Sequence, residues 1–288
     1  MPTHPSWIKV RVPTPAQSRG MAEMRELLAR YRLSTVCQGA RCPNAAECWS
    51  ARTATFMVLG DICTRNCRFC DVPTGNPGGA VDTGEPERLA AAVRELGLEY
   101  VVLTSVDRDD LPDGGADAFA RVIERITEAP DAVIIEVLVP DFSGKRASLD
   151  RILATSADVL GHNLETVYRL TPDLRDGRAG YDRSIDVLRY LADRAGGRRI
   201  KSGLMVGLGE SIAEIHEAMG DLRNAGVDML TIGQYLQPSK DAVPIARYVS
   251  PNEFEQFAVY AQDLGFTSVV TGPLVRSSYH AAAAFSET

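Results

Sequence analysis

The sequence predicts an α/β fold: a parallel sheet curled into a partial (β/α)6, TIM-like barrel, with an extension at each end. Two observations predict it. From Thr53 onward six strand-like runs are each followed by a helical run, and a seventh strand-like run closes the series. No internal repeat or low-complexity linker interrupts that alternation, so the core reads as one domain. Right-handed crossovers curl such a sheet, and six units rather than eight leave it open. An open doubly wound sheet is the alternative.

The elements follow in order. Residues 1–20 are Pro-rich and read as irregular chain wrapping the surface. Met21 to Arg32 reads as a short amphipathic helix, with Met21, Met24, Leu27 and Leu28 on one face as packing groups. Strands are expected at Thr53–Gly60, Tyr100–Val106, Ala132–Val139, Asp158–Leu164, Ile200–Leu208, Met229–Tyr235 and Thr267–Thr271. Helices are expected at Pro86–Leu96, Ala116–Glu128, Ala147–Ala154 and Ser184–Arg194. Ser211-x-x-Glu214 is a capping box that opens a further helix reaching about Asn224. Ser250-Pro-x-Glu253 opens the last, with proline at the first helical position.

Of 288 residues, 45% are hydrophobic and 24% charged, enough to bury a sizeable core. The net charge of −7 argues against general nucleic-acid binding. The N-terminal residues contain no apolar h-region, and no apolar run approaches the length of a membrane span. A cytoplasmic protein without membrane attachment is the expectation, with a monomer as the default state.

All six cysteines fall between residues 37 and 70. Cys37, Cys42 and Cys48 are spaced C-x4-C-x5-C; Cys63, Cys67 and Cys70 are spaced C-x3-C-x2-C. Structural thiols would scatter through the core. Disulfides need an oxidising compartment. Zinc sites usually show paired C-x2-C knuckles and four ligands. Soft thiolates in short loops suit iron–sulfur clusters best. A [4Fe–4S] cube normally takes four cysteines, so two triplets suggest two cubes, each with one iron that is open or has a non-cysteine ligand.

The second triplet, with Phe69 before its last cysteine and a strand before its loop, resembles the signature of the radical S-adenosylmethionine (SAM) superfamily. The first triplet upstream of it resembles the lipoyl synthase family. So do Ala54-Thr-Phe-Met57, Gly161-His-Asn-Leu-Glu-Thr166, Lys201–Glu210, Gly233-Gln-Tyr-Leu-Gln-Pro238 and Arg276-Ser-Ser-Tyr-His-Ala281. The resemblance runs from about Trp7 to Ala281. It implies an open barrel at residues 53–272, an N-terminal cluster extension at 1–52 and a returning tail at 273–288. It implies radical insertion of sulfur at C6 and C8 of an octanoyl chain on a carrier-protein lysine. Two [4Fe–4S] clusters and SAM would be the cofactors. Cys63, Cys67 and Cys70 would hold the cluster that cleaves SAM to a 5′-deoxyadenosyl radical. Cys37, Cys42, Cys48 and Ser278 would hold an auxiliary cluster that supplies sulfur. Lipoyl domains of 2-oxo acid dehydrogenases and the glycine cleavage H protein would be the carriers, and ferredoxin or flavodoxin the reductant. The rivals are a radical enzyme placing sulfur in another substrate, as biotin synthase does, and a two-cluster electron-transfer protein.

Ligand sites of parallel barrels lie at the strand C-termini. Thr104, Ser105, Glu136, His162, Asn163, Ser202 and Gln234 cluster there by sequence. Thr104, Ser105, Asn163, Glu165, Lys201 and Gln234 are the expected SAM-binding residues. Gly207-Leu-Gly209 is no Rossmann fingerprint; it reads as a tight turn, which the resemblance puts near SAM. Asp107-Arg-Asp-Asp110 reads as a solvated charge run or as a barrel-mouth loop. No histidine is expected to ligate metal. The chain departs from the family at Arg175–Tyr181, which has an extra residue and no proline, and at Asp241-Ala242, where a histidine is expected. Neither departure is expected to touch a cluster ligand.

Overall fold

A computed structural model describes residues 4–9, 12–39, 42–128 and 132–286; the remainder of the expected N-terminal wrap lies outside the described residues. The elements are α1 (Pro15–Tyr31), β1 (Ser34–Thr35), α2 (Val36–Gly39), α3 (Ala45–Ser50), β2 (Thr53–Val58), α4 (Glu85–Leu96), β3 (Tyr100–Ser105), α5 (Ala116–Thr127), β4 (Ile134–Leu138), α6 (Arg146–Leu153), β5 (Val159–Gly161), α7 (Thr171–Leu174), α8 (Tyr181–Arg194), β6 (Arg199–Val206), α9 (Ile212–Asn224), β7 (Met229–Gln234), α10 (Pro251–Asp263), β8 (Ser268–Gly272) and α11 (Ala281–Ser286). All seven expected strands are present.

The strands pair in sequence order from β1 to β8, with β1 antiparallel and every later pair parallel. An order that never reverses winds in one direction, which excludes the doubly wound alternative. The edge strands β1 and β8 do not pair with each other, so the barrel is open. Strands buried on both faces explain the apolar runs: all six residues of β2 are buried.

Three sequence expectations change. α1 begins at Pro15, six residues before the expected start, because Thr14 and Gln17 form a capping box with proline at the first position. Cys37 and Cys48 of the first triplet lie on two short helices, α2 and α3, with Cys42 in the connection between them, rather than all three in one loop. α11 was not anticipated. It packs inside the barrel, where Ala281 and Phe285 meet Tyr100 and Val102, and Ala284 meets Val159 and Met229. Tyr100, Val159 and Met229 each begin their strand, so the C-terminal helix fills the lower half of the barrel. The upper half stays open.

Gly233 is what admits the returning chain. A Cβ there would meet the Val275 carbonyl oxygen at 2.1 Å, so only glycine lets the segment after β8 lie across β7. Asn44 holds the same segment through Nδ2 to the Leu274 carbonyl at 2.7 Å.

Candidate active site

Above α11, at the C-terminal ends of the strands, lies a cavity of about 330 Å³. Cys37, Cys42, Cys63, Cys67 and Cys70 line it, together with Thr55, Thr104, Ser105, Asn163, Glu165 and Ser278. Cys48 does not line it, but Cys37 and Cys42 bring the first triplet into the same site as the second.

In the first triplet, charge on Cys42 acts on Cys37, and both act on Cys48, so the three sulfurs are mutual neighbours. Burial raises all three thiols, Cys48 to about 12. The tail reaches the same place. Ser278 Oγ accepts from Thr55 Oγ1 at 2.8 Å, while His280 Nε2 and Tyr279 Oη lie 2.9 and 3.3 Å from the Glu47 carboxylate on α3. Thr55 also faces Cys37 through its backbone N–H.

In the second triplet, burial pushes Cys67 to about 12 and raises Cys63 and Cys70. Two backbone donors address its sulfurs at 3.4 Å: Arg65 N–H to Cys63 Sγ and Asp176 N–H to Cys67 Sγ. The loop is clamped by Arg65, whose guanidinium meets Asp107, Asp109 and Asp141 at 3.2, 2.8 and 2.7 Å. Against the cost of burial, Arg65 holds Asp109 at about 2 and Asp141 below the usual carboxylate range. Burial, with Asp141 and Asp109 nearby, lifts Asp107 to about 6.

The donor set fits two clusters. The six cysteines form no disulfide. Among the described residues, no three His, Cys, Asp or Glu side chains converge closely enough for a single metal ion, whereas a cube spans more widely. Thiols raised this far become good ligands only when bound iron supplies the compensating positive charge.

The predicted SAM residues divide. Thr104, Ser105, Asn163 and Glu165 line the cavity. Glu165 holds a left-handed backbone (φ 71°), unusual for glutamate and pinned by bonds to β6 at 3.0 and 2.8 Å. Burial raises its carboxyl, and Arg175 and Asn163 oppose that. Lys201 and Gln234 do not line the cavity, a correction to the sequence reading. Lys201 Nζ lies 2.8 Å from both Glu136 oxygens, and Tyr100 Oη donates to the same carboxylate at 2.7 Å, inside the barrel beside α11. Lys201 is near the start of β6, so the inward period places it low. Gln234 ties the β7 end to the next loop, donating to Tyr235 and Arg247 carbonyls and accepting from Val249 N–H. Ser202 is buried in the wall, where Oγ accepts from Leu164 N–H at 3.2 Å.

His162 is a buried link rather than a ligand. Its Nδ1–H donates to the Val139 carbonyl at 2.9 Å, and its Nε2 accepts from Ser184 Oγ at 2.9 Å. Ser184 Oγ in turn accepts from Arg175 at 2.8 Å, which orients that guanidinium toward the cavity. Burial lowers the imidazole to about 4, so it is neutral at pH 7.

Other expectations also change. Asp107–Asp110 is no solvated run: Arg108 is 2% exposed and binds Asp110 and the Leu59 and Ala80 carbonyls. Gly207 and Gly209 form a tight turn in which the Gly207 and Leu208 N–H groups donate to Glu210, and neither glycine lines the cavity. The departure at Arg175–Tyr181 does touch an expected cluster ligand, through Asp176 to Cys67. The Asp241-Ala242 segment leads to Val243, whose N–H donates to the Arg68 carbonyl in the cluster loop at 2.9 Å. Sequence reasoning missed Arg65, Asp141 and Arg175. Acids at the ends of β3 and β4, opposite an arginine between two cysteines, were the signal that could have found the first two.

The model of the radical SAM superfamily matches residues 57–233. A lipoyl synthase of Pyrobaculum aerophilum is 52% identical over 98% of this chain and 96% of its own. One of Thermus thermophilus is 52% identical over 98% of this chain and 87% of its own. Among solved structures, the FeFe-hydrogenase maturase HydG of Carboxydothermus hydrogenoformans matches with a TM-score of 0.61 at 15% identity, over 94% of this chain and 70% of that one, a likeness of fold.

Proposed function

The chain belongs to the lipoyl synthase family of the radical SAM superfamily, and from that premise we propose how its cavity divides the work. The enzyme is a radical SAM sulfurtransferase that places two sulfur atoms, at C6 and C8, on the octanoyl-lysine of a lipoyl-carrier protein. It uses a [4Fe–4S] cluster and SAM. Cys63, Cys67 and Cys70 would hold that cluster. Cys37, Cys42, Cys48 and Ser278 would hold a second, auxiliary one. When bound, the first of these groups supplies with SAM a carbon radical able to break unactivated C–H bonds, and the auxiliary cluster supplies sulfide.

The chain's own residues do the positioning. Asn163 and Glu165 suit the ribose hydroxyls of SAM; Thr104 and Ser105 offer further polar contact at the ends of β3. Arg175, aimed by Ser184 and His162, places a cation beside Glu165 and Cys67. Val36, Met57 and Val106 add apolar surface suited to an octanoyl chain. α11 below and the tail above limit water access to the reacting carbon.

The observation that carries this reading is that Cys37 and Cys42 of the first triplet, all three cysteines of the second and Ser278 line one cavity, so radical source and sulfur source would address one bound chain. The carriers would be lipoyl domains of 2-oxo acid dehydrogenases and the glycine cleavage H protein, and the reductant a ferredoxin or flavodoxin. No described helix is long and apolar enough to cross a membrane. The test is anaerobic turnover of an octanoylated carrier peptide with SAM and reductant, followed by mass spectrometry. Two sulfur additions and 5′-deoxyadenosine are expected. 5′-Deoxyadenosine without sulfur addition would point to another substrate, and neither product would refute the reading.

A further inference from the structure

Trp49 stands one residue after Cys48 on α3 and is 8% exposed, packed in the main hydrophobic core. Its ring needs no further explanation as a packing group. Its indole nitrogen does. Nε1 is fully buried and has no hydrogen-bond partner in the protein. Buried tryptophan N–H groups nearly always find an acceptor. The group this one faces is Cys37, where the indole favours the thiolate against the burial that raises the thiol. A protonated thiol is a weak acceptor. A thiolate carrying iron is a far better one.

The other two sulfurs of this triplet have matching neighbours. The backbone N–H of His280 faces Cys48. The Arg276 guanidinium lies beside Cys42, and among the described residues it makes no ion pair; its Nη1 bonds only to the Gln234 and Val275 carbonyls. Each sulfur thus has a donor or cation beside it, His280 and Arg276 coming from the tail, while Cys37 also faces the Thr55 N–H and Cys42 the Asn44 N–H.

We propose that Trp49 is a positioning residue of the auxiliary cluster: its indole N–H donates to the Cys37 sulfur, holding that ligand on iron and raising the cluster's reduction potential. The inference rests on the first triplet holding a cluster. Donors aimed at ligand sulfur stabilise the more negative, reduced state and strengthen retention of the ligand. Trp49→Phe removes the N–H and keeps an aromatic ring in the core.

The test uses the fully loaded chain, with SAM added to shift only the signal of the other cluster. Iron per chain, the auxiliary cluster's potential and its rate of iron loss to a chelator are measured for wild type and Trp49→Phe. Retained iron, a lower potential and roughly tenfold faster loss are expected, the scale of one hydrogen bond to a charged acceptor. An assembled cluster with unchanged potential and loss rate overturns the inference and leaves the cluster reading intact. A wild-type chain with only about four irons removes the cluster reading and this inference together. Because Trp49→Phe could fail to fold, a second measurement uses the unsubstituted chain with ¹⁵N-indole tryptophan. A nitrogen hyperfine coupling to the reduced auxiliary cluster supports the bond, and its absence overturns it.

Discussion

Gly233→Ala is the sharpest test of how the tail is seated. The added Cβ would lie 2.1 Å from the Val275 carbonyl oxygen and 3.0 Å from its carbon. Both are backbone atoms, so no rotamer change relieves the clash. The tail must retreat by about 1 Å or more to reach van der Waals distance. That cost is about 1–3 kcal/mol of overpacking. The retreat also carries Ser278 from Thr55, and their 2.8 Å hydrogen bond contributes about 1 kcal/mol. Gly220→Ala is the control. Gly220 lies in α9 with nothing within 4 Å of its would-be Cβ, so alanine there should stabilise by up to about 1 kcal/mol. The assay pairs urea unfolding of the iron-free chain with iron counting after anaerobic reconstitution. Gly233→Ala should lose roughly 2–4 kcal/mol and retain about four irons instead of about eight, while still forming 5′-deoxyadenosine from SAM. Wild-type stability with full iron would refute the argument that this close approach seats Ser278 at the first triplet.

Replacing Cys63, Cys67 and Cys70 together by Ala should halve the iron and abolish 5′-deoxyadenosine formation; full cleavage by that variant would overturn their assignment. Ser278→Cys should assemble both clusters yet insert sulfur poorly, because a thiolate holds iron more firmly than an alkoxide, whereas Ser278→Ala should leave the auxiliary cluster labile; wild-type turnover in both removes the role. Titration of SAM against Asn163→Ala and Glu165→Ala should show weaker binding by roughly tenfold for each lost charged or bidentate contact, and unchanged affinity in both would make them structural. His162 titrates near 4 in the folded chain against about 6.5 when unfolded, so the unfolded chain takes the proton first. Its contribution is complete above about pH 6.5 and is lost as pH falls toward 4, by up to ~3 kcal/mol. Urea midpoints at pH 7 and pH 5 should therefore converge in His162→Gln relative to wild type, and parallel shifts in the two would count against the buried neutral imidazole.

Local pattern made much of this protein legible. The seven parallel strands read as apolar runs because a sheet covered on both faces must be apolar throughout. Ser211–Glu214 and Ser250–Glu253 read as helix starts because a capping box is satisfied within four residues. The cysteines read as two triplets because each set is confined to a short stretch of chain. What the sequence did not disclose depends on contacts between distant residues. By sequence, Lys201, Glu136 and Asn163 read alike as polar strand residues. Only the barrel's inward period and depth separate a buried pair beside α11 from a cavity-lining group. Arg65 meets acids 42 to 76 positions away, Asp176 reaches Cys67 across 109, and Ser278 meets Thr55 across 223. No propensity or spacing encodes such pairs. They exist because closing the half-barrel brings strand ends together, and because Gly233 leaves the room through which the tail returns. The sequence by itself determined which residues can carry the chemistry; the tertiary structure decided which of them share one cavity.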